Sequence, residues 1–492
     1  MIKKLFLSAL MLGLVSCMPQ EADSPLYTSP KLLTGYANPL LDFHFTADPT
    51  AVEHEGRLYV YATNDHQQYE AVGPDGNNGY QNIHSLVMMS TDDMVNWTYH
   101  GYIDVKSLSP WGLCSWAPSI TKRVEADGLT HFYMYYSNCG TGVGMLAATS
   151  PVGPWTDPLG RNVVDLNTEG LGHCKAPFDP GVVIDDQGRG WLAFGAGDEA
   201  YGSKFMPGDT RIVMLADDMM NLASPIKEIK TPYHFEASEL NFINGKWIYS
   251  YNTSWNERTE WPYEVAPPPI CGMSYMVSDD PLNTDSWVYR DSFFKNPMDY
   301  GMTPSNNHTH IFKYAGEYYI LYHTLSLDDY QQIGGGFRSV CLDKIQVDEQ
   351  TWTIQMGEAT KEGVGQLKPL DPYEWQEAET VAATHNMRFV PMAEPGNTAA
   401  ACHTDGQILK VRGVDFQDGP DAVTLLVRGP GTLTVKVGHP ECGEVLATLK
   451  FEGDQWREVT EMIHSDLTGV HDLYFITSEG DCQFDKWIFT KD

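Results

Sequence analysis

Three carboxylic acids and a histidine stand at matching points of a repeat, and together they could move protons. Thr46-Ala47-Asp48-Pro49 leads through a turn at Gly56 to Arg57-Leu58-Tyr59-Val60-Tyr61. The layout recurs as Trp116-Ala117-Pro118 leading to His131-Phe132-Tyr133, and as Phe178-Asp179-Pro180 leading to Gly190-Trp191-Leu192. It recurs again as Phe235-Glu236-Ala237-Ser238 leading to Lys246-Trp247-Ile248, and as Asn307-His308-Thr309 leading to Glu317-Tyr318-Tyr319. Asp-Pro is a common turn dipeptide and means little alone. Repetition at equivalent positions gives Asp48, Asp179 and Glu236 their weight. Carboxyls brought together can divide the labour of acid and base, because a second anion keeps its neighbour protonated.

The elements that must position them are strands. The five copies lie about 55–75 residues apart, a spacing expected of radially repeated β units. Each has two strand-like runs joined by a Gly- or Asp-containing turn. An outer half follows, such as Met88 to Trp97, Ala147 to Trp155 or Met276 to Trp287, giving about four strands per unit. Sustained helical periodicity is absent. The expectation is an all-β protein with a five-bladed β-propeller over residues 36–365. The first strand of each blade lines the central axis, so Asp48, Ala117, Asp179, Glu236 and His308 converge there. Glu239 rivals Glu236, but simple strand alternation puts it on the opposite face. His310 and His323 read as structural. After a boundary at Gln366 to Pro372, short alternating strands over 372–492 predict a β-sandwich of jelly-roll type.

Residues 1–17 have a basic start and an apolar run too short to span a bilayer, as in a secretory signal. Leu14-Val15-Ser16-Cys17 resembles a bacterial lipobox. The expectation is an exported lipoprotein, facing the periplasm or the cell surface, touching the membrane only through lipid on Cys17. Residues 18–35 read as a linker. A net charge of −33 argues against nucleic acid as a partner. A neutral polysaccharide has no such objection. The other cysteines, Cys114, Cys139, Cys174, Cys271, Cys341, Cys402, Cys442 and Cys482, form no CxxC pair, which argues against zinc. Export permits disulfides, whose pairing the sequence does not give.

Asp48 in Ala-Asp-Pro, Asp179 in Phe-Asp-Pro and Glu236 in Phe-Glu-Ala-Ser, each opening a blade, resemble glycoside hydrolase family 43. Trp116-Ala117-Pro118, Asn307-His308 and the run Gly334 to Cys341 extend the likeness. The runs His44 to Asp48 and Gly334 to Cys341 resemble most the branch with arabinoxylan arabinofuranohydrolases. The resemblance implies inverting hydrolysis of a glycosidic bond, with Asp48 as general base and Glu236 as general acid. Asp179 would raise the pKa of Glu236 and orient it. It further implies that Trp116, Asn307 and Arg338 meet the sugar, and that His308 helps hold calcium in the central channel. The C-terminal part resembles a family 6 carbohydrate-binding module, in which Glu379 and Asp485, with Glu377 as an alternative, would hold a structural calcium. Gln483 departs from the asparagine that often touches glycan there, and Trp456 and Trp487 fit core positions better than a sugar platform. The expected substrate is plant-type hemicellulose, bound by a monomer that releases α-L-arabinofuranose. Alternatives are a β-xylosidase or an endo-acting arabinanase on the same scaffold, or a glycan-binding lipoprotein without catalysis.

Overall fold

The computed structural model describes residues 27–196 and 203–491. The predicted signal and Cys17 lie outside them. Five small antiparallel sheets come first. Blade one is Ala47–His54, Arg57–Thr63, Ser85–Thr91 and Trp97–Asp104; blade two is Trp116–Val124, Thr130–Ser137, Gly142–Ala148 and Val164–Asp165. Blade three is Gly181–Ile184, Gly190–Phe194, Arg211–Met214 and Lys227–Glu228; blade four is His234–Ile243, Lys246–Thr253, Met273–Ser278 and Val288–Phe294. Blade five is His310–Tyr314, Glu317–Thr324 and Ser339–Lys344. β-Branched and aromatic residues crowd these strands, as in Lys-Trp-Ile-Tyr-Ser-Tyr-Asn-Thr of blade four. Its first hairpin turns at Asn244-Gly245, where both residues have positive φ, the geometry that matches strand twist in a two-residue turn.

Each blade seam has its own apolar core. Val60, Met89 and Trp97 meet Tyr319 and Leu321 between blades one and five, and Tyr61 and Met88 meet Phe132 and Met134 between one and two. Tyr135 and Met145 meet Leu192 and Val213; Trp191 and Ile212 meet Tyr249 and Met276; Ile248 and Tyr275 meet Ile320 and Tyr322. Five cores for five seams make a closed ring. The ring is latched by the chain before blade one. Thr46 N donates to Arg338 O (2.9 Å) and Leu40 N to Val340 O (2.8 Å), alongside the three-stranded fifth blade.

The C-terminal domain is a six-stranded and a five-stranded sheet sharing one core, with Val423, Leu425 and Trp487 from one sheet against Leu433, Val435 and Phe475 from the other. Its short strand Thr380–Val381 pairs with Trp97–Asp104 of blade one, adding a fifth strand to that sheet. The expected linker at 18–35 needs correction from residue 27 onward. Leu32 is fully buried with Ala383, Ile408 and Tyr474, and the Tyr27 ring packs edge-on against His385. Lys31, buried, donates to Leu40 O (2.9 Å), while the buried Lys410 reaches Leu32 O (3.1 Å). Polar composition hid this segment, because its one lysine, Lys31, is satisfied by a backbone carbonyl rather than by water.

Candidate active site

The inner end of four blades carries a kink. Asp48 (φ 48°), Ala117 (φ 42°), Asp179 (φ 42°) and Ala237 (φ 62°) all lie in the left-handed region. Such a residue costs about 1–3 kcal/mol and needs support from around it. Neighbouring blades provide it. Asp48 N donates to His323 Nδ1 of blade five (3.1 Å), Ala117 N to Thr63 Oγ1 of blade one (2.8 Å), and Ala237 N to Asp179 Oδ2 of blade three (2.9 Å). Three residues on, Ile120 N reaches Thr50 Oγ1 and Val182 N reaches Ser119 Oγ, in a second layer of the same design. Gly181 belongs to that layer, and a Cβ there would come within 2.7 Å of Glu239 Cα.

By backbone conformation, the blade-four counterpart of Asp48 and Asp179 is therefore Ala237. Glu236 sits one place earlier, with Trp116 and Phe178. The bulge also corrects the alternation argument about Glu239. Glu236 opposes Asn252 and Glu239 opposes Ser250, three residues spanning two, so both acids face the same side. What separates them is partnership: Glu239 Oε1 is bound to His310 Nδ1 at 2.8 Å, deep in the second layer.

Around the axis, Asp48, Asp179, Glu236 and His308 come together. Asp48 Oδ1 accepts from Arg338 Nη1 (2.9 Å), with His323 Nδ1 at 3.4 Å and His308 Nδ1 at 3.6 Å. Burial pushes the Asp48 carboxyl up, but Arg338 and then His308 outweigh it and hold it well below the usual carboxylate range. Glu236 is raised instead, by burial first; the Asn306 amide (Nδ2 to Oε1, 3.2 Å) opposes the rise and Asp48 adds to it. Burial also pushes Asp179 up, to about 8, with His308 at 4.0 Å and the Ala237 amide pulling against Glu236 and Asp48. Asp179 and Glu236 thus titrate as a pair sharing a proton. The Ala237 N–H and His308 favour charge on Asp179, and the Asn306 amide favours it on Glu236, so the two acids hold one proton between them. Burial works against a charge on His308, yet Asp48, Asp179 and Glu239 raise its pKa. One carboxyl is fixed ionised, and another is held ready to give a proton. That is the requirement for cleaving an acetal.

A family model, Glycosyl hydrolases family 43, matches residues 36–353. The chain belongs to that family. It is a glycoside hydrolase. Among curated relatives, an arabinoxylan arabinofuranohydrolase of Bacillus subtilis (strain 168) is 32% identical, covering 97% of either chain. One from Paenibacillus polymyxa is 31% identical over 99% of this chain and 79% of its own length. A crystal structure of a family 43 arabinoxylan arabinofuranohydrolase from Bacillus subtilis in complex with cellotetraose superposes with a TM-score of 0.85 at 31% identity, covering 93% of this chain and 98% of that one.

In this family 43 chain the remaining predicted residues fall in different places. Trp116 is part-exposed at the rim, packed edge-on against Phe178 and Tyr80, its Nε1 donating to Tyr80 O (3.2 Å). Arg338 is not free to serve the sugar first. Nε and Nη2 bind Asp65 (2.9 and 2.8 Å) while Nη1 binds Asp48, so its main task is to hold the base. Asn307 is fully buried and donates to Lys295 O (2.9 Å); its neighbour Asn306 touches the acid instead. Three residues escaped the sequence reading, and a fourth, His323, was read only as structural. Asp65 opens a short helix, Asp65–Val72, and anchors Arg338. His323 accepts from the Asp48 amide and meets Asn306 O through Nε2 (3.0 Å), tying base to acid. Burial and Arg338 hold it neutral, with a pKa lowered to about 3. Tyr80 lies over the Arg338 guanidinium (5.0 Å), and Asn306 completes the set.

Among the described residues no group of three or more His, Cys, Asp and Glu side chains is arranged to hold a metal ion. At His308 the fit fails on chemistry as well. The neighbouring carboxylates are engaged by Arg338 and the Ala237 amide, and Asp48 and Asp179 raise the pKa of the imidazole, which works against its lone pair meeting a metal. The C-terminal acids form no such group either, but they differ in what they lack. Glu377 Oε2, Glu379 Oε2 and Asp485 Oδ1 are buried without hydrogen-bond partners. Burial and then Glu377 raise both Glu379 and Asp485. Unpaired carboxylate oxygens suit a hard cation.

Proposed function

We propose that this chain is an exported α-L-arabinofuranosidase that removes arabinofuranosyl side chains from arabinoxylan-type hemicellulose by inversion. The observation that carries this reading is the end-to-end likeness to the Bacillus subtilis arabinoxylan arabinofuranohydrolase, spanning 97% of either chain. The geometry supports it. Glu236 protonates the glycosidic oxygen as the bond from the anomeric carbon breaks. Asp48 takes a proton from the water that attacks the opposite face. Arg338 keeps Asp48 ionised for that step, and burial keeps Glu236 protonated. Asp179, by gripping the Ala237 amide, fixes the backbone beside Glu236 and orients the acid. Trp116, with Tyr80 and Phe178, forms an aromatic wall suited to a sugar face.

In the C-terminal domain Glu379 and Asp485, with Glu377, would hold calcium as a structural ion that neutralises three facing acids. A lipid on Cys17 would tether the enzyme to a membrane facing the periplasm or cell exterior. No helix among the described residues is long and apolar enough to cross a membrane. The test is chromatography of products from purified protein and arabinoxylan. Free arabinose with a long xylan backbone is expected. Xylose from chain ends would move the reading to a β-xylosidase, and no released sugar would move it to a glycan-binding protein.

A further inference from the structure

The C-terminal domain holds two cysteines that catalysis leaves unexplained. Cys402 ends the strand Thr398–Cys402, and Cys482 opens the strand Cys482–Thr490. These strands are antiparallel neighbours, and the register sets the two cysteines directly opposite one another. Facing residues on such a pair have Cα atoms roughly 4.5–5.5 Å apart and side chains on one face. A disulfide spans Cα separations of about 4.4–6.8 Å. Both side chains are buried and join the core of the domain. The facing sheet leaves room for sulfur: a Cβ on Gly431 would lie 2.6 Å from Cys482 Sγ. Elsewhere Cys114 and Cys139 are joined as a disulfide, so the fold accommodates a chain that meets thiol-oxidising conditions.

We propose that Cys402 and Cys482 close as a cross-strand disulfide in the mature protein, stapling the last strand of the chain to its neighbour. Two S–H bonds are lost and one S–S bond forms. The two electrons pass to an oxidising disulfide, a thiol–disulfide oxidoreductase or oxidised glutathione, which becomes a dithiol and takes up the two protons. The Cys482 thiolate attacks that disulfide, and Cys402 then displaces the mixed disulfide. The Cys402 thiol facing it lowers the Cys482 pKa and favours this order. Because both sulfurs are buried in the folded domain, the bond forms as the strands pair. The stapled strands also border the acid cluster. Thr398 N donates to Glu379 Oε1 (3.4 Å), and Asp485 lies three residues beyond Cys482.

The test is a non-reducing peptide map of the full chain, refolded in a glutathione redox buffer and then alkylated in denaturant without reductant. A linked peptide pair containing Cys402 and Cys482 is expected, with a mass about 2 Da below the dithiol sum, while Cys174, Cys271 and Cys341 take the label. The Cys402→Ser variant should expose Cys482 to alkylation and unfold at a lower temperature than the oxidised parent. Full alkylation of both Cys402 and Cys482 in the refolded parent would overturn the proposal, as would either cysteine linked to a different partner.

Discussion

Two groups of buried acids lie in this molecule, and they are satisfied in opposite ways. On the propeller axis, Asp48, Asp179 and Glu236 are surrounded by donors and cations: Arg338, His308, Asn306 and the Ala237 amide. In the sandwich, Glu377, Glu379 and Asp485 each leave a buried oxygen without a partner. Burying a charge is tolerable only when it is paired or removed by protonation. The axis solves the problem internally and unequally, so one acid stays charged while another keeps its proton. That inequality is a catalytic device. The sandwich solves it only in part: Lys486 meets the other oxygen of Glu377 and the Thr398 amide that of Glu379, and an external cation would suit the oxygens left over. Like charges held close can thus mark either an acid–base pair or an ion site, and the surrounding donors tell which.

The comparison breaks most sharply if the axis loses its cation. Arg338→Met should cut kcat by about 100-fold or more and destabilise the fold by about 3–5 kcal/mol, since Asp65 and Asp48 would be buried unpaired. Without the guanidinium the Asp48 pKa rises, so the acid limb of the pH–rate profile moves to higher pH. An unmoved limb would show that Arg338 does not set the base.

Asp179→Asn is the next perturbation, with a kcat loss of about tenfold or more. The variant removes the anion that keeps the proton on Glu236. The alkaline limb, which reports loss of that proton, should therefore move to lower pH. Movement the other way would contradict the shared-proton pair.

The sandwich responds to metal rather than to substrate. Calcium should raise the melting temperature by about 5 °C over protein in chelator, and Glu379→Gln should abolish the difference. The pH dependence has a definite sign. Glu379 has a raised pKa in the folded state, so between its unfolded and folded values the native protein binds more protons. Stability of the metal-free protein must then fall as pH rises through the unfolded carboxylate range and beyond. Calcium should flatten that slope. Melting curves in chelator that are level with pH would remove the case for an ion site.

The repeat and the acids were legible because a propeller writes its axis into the chain at fixed intervals. Asp48, Asp179 and Glu236 each open a blade, and a turn followed by an aromatic strand lies just beyond. The offset of Glu236 was not legible, because a bulge changes which residue faces inward without changing composition. The helix Asp65–Val72 also escaped notice. Its buried residues are Asp65 and Gln68, so it has no apolar stripe to read, and its value lies in the ion pair with Arg338 far along the chain. Partners between distant blades, such as His323 with Asp48, are set by ring closure and leave no local trace. Residues 27–35 looked like a linker for the same reason: a polar segment packed against backbone carbonyls resembles one packed against water.

The central claim is the division of labour between Asp48 and Glu236, and comparing two leaving groups tests it most directly. Turnover of arabinoxylan and of an aryl arabinofuranoside with an activated leaving group would be measured for Glu236→Gln and Asp48→Asn. A leaving group that departs without a proton needs no acid but still needs the base. Glu236→Gln should therefore lose arabinoxylan cleavage by about 1,000-fold or more while keeping the aryl substrate within about tenfold, and Asp48→Asn should lose both. Arabinoxylan cleavage by Glu236→Gln at the parent rate, or aryl substrate turnover by Asp48→Asn, would contradict the assignment.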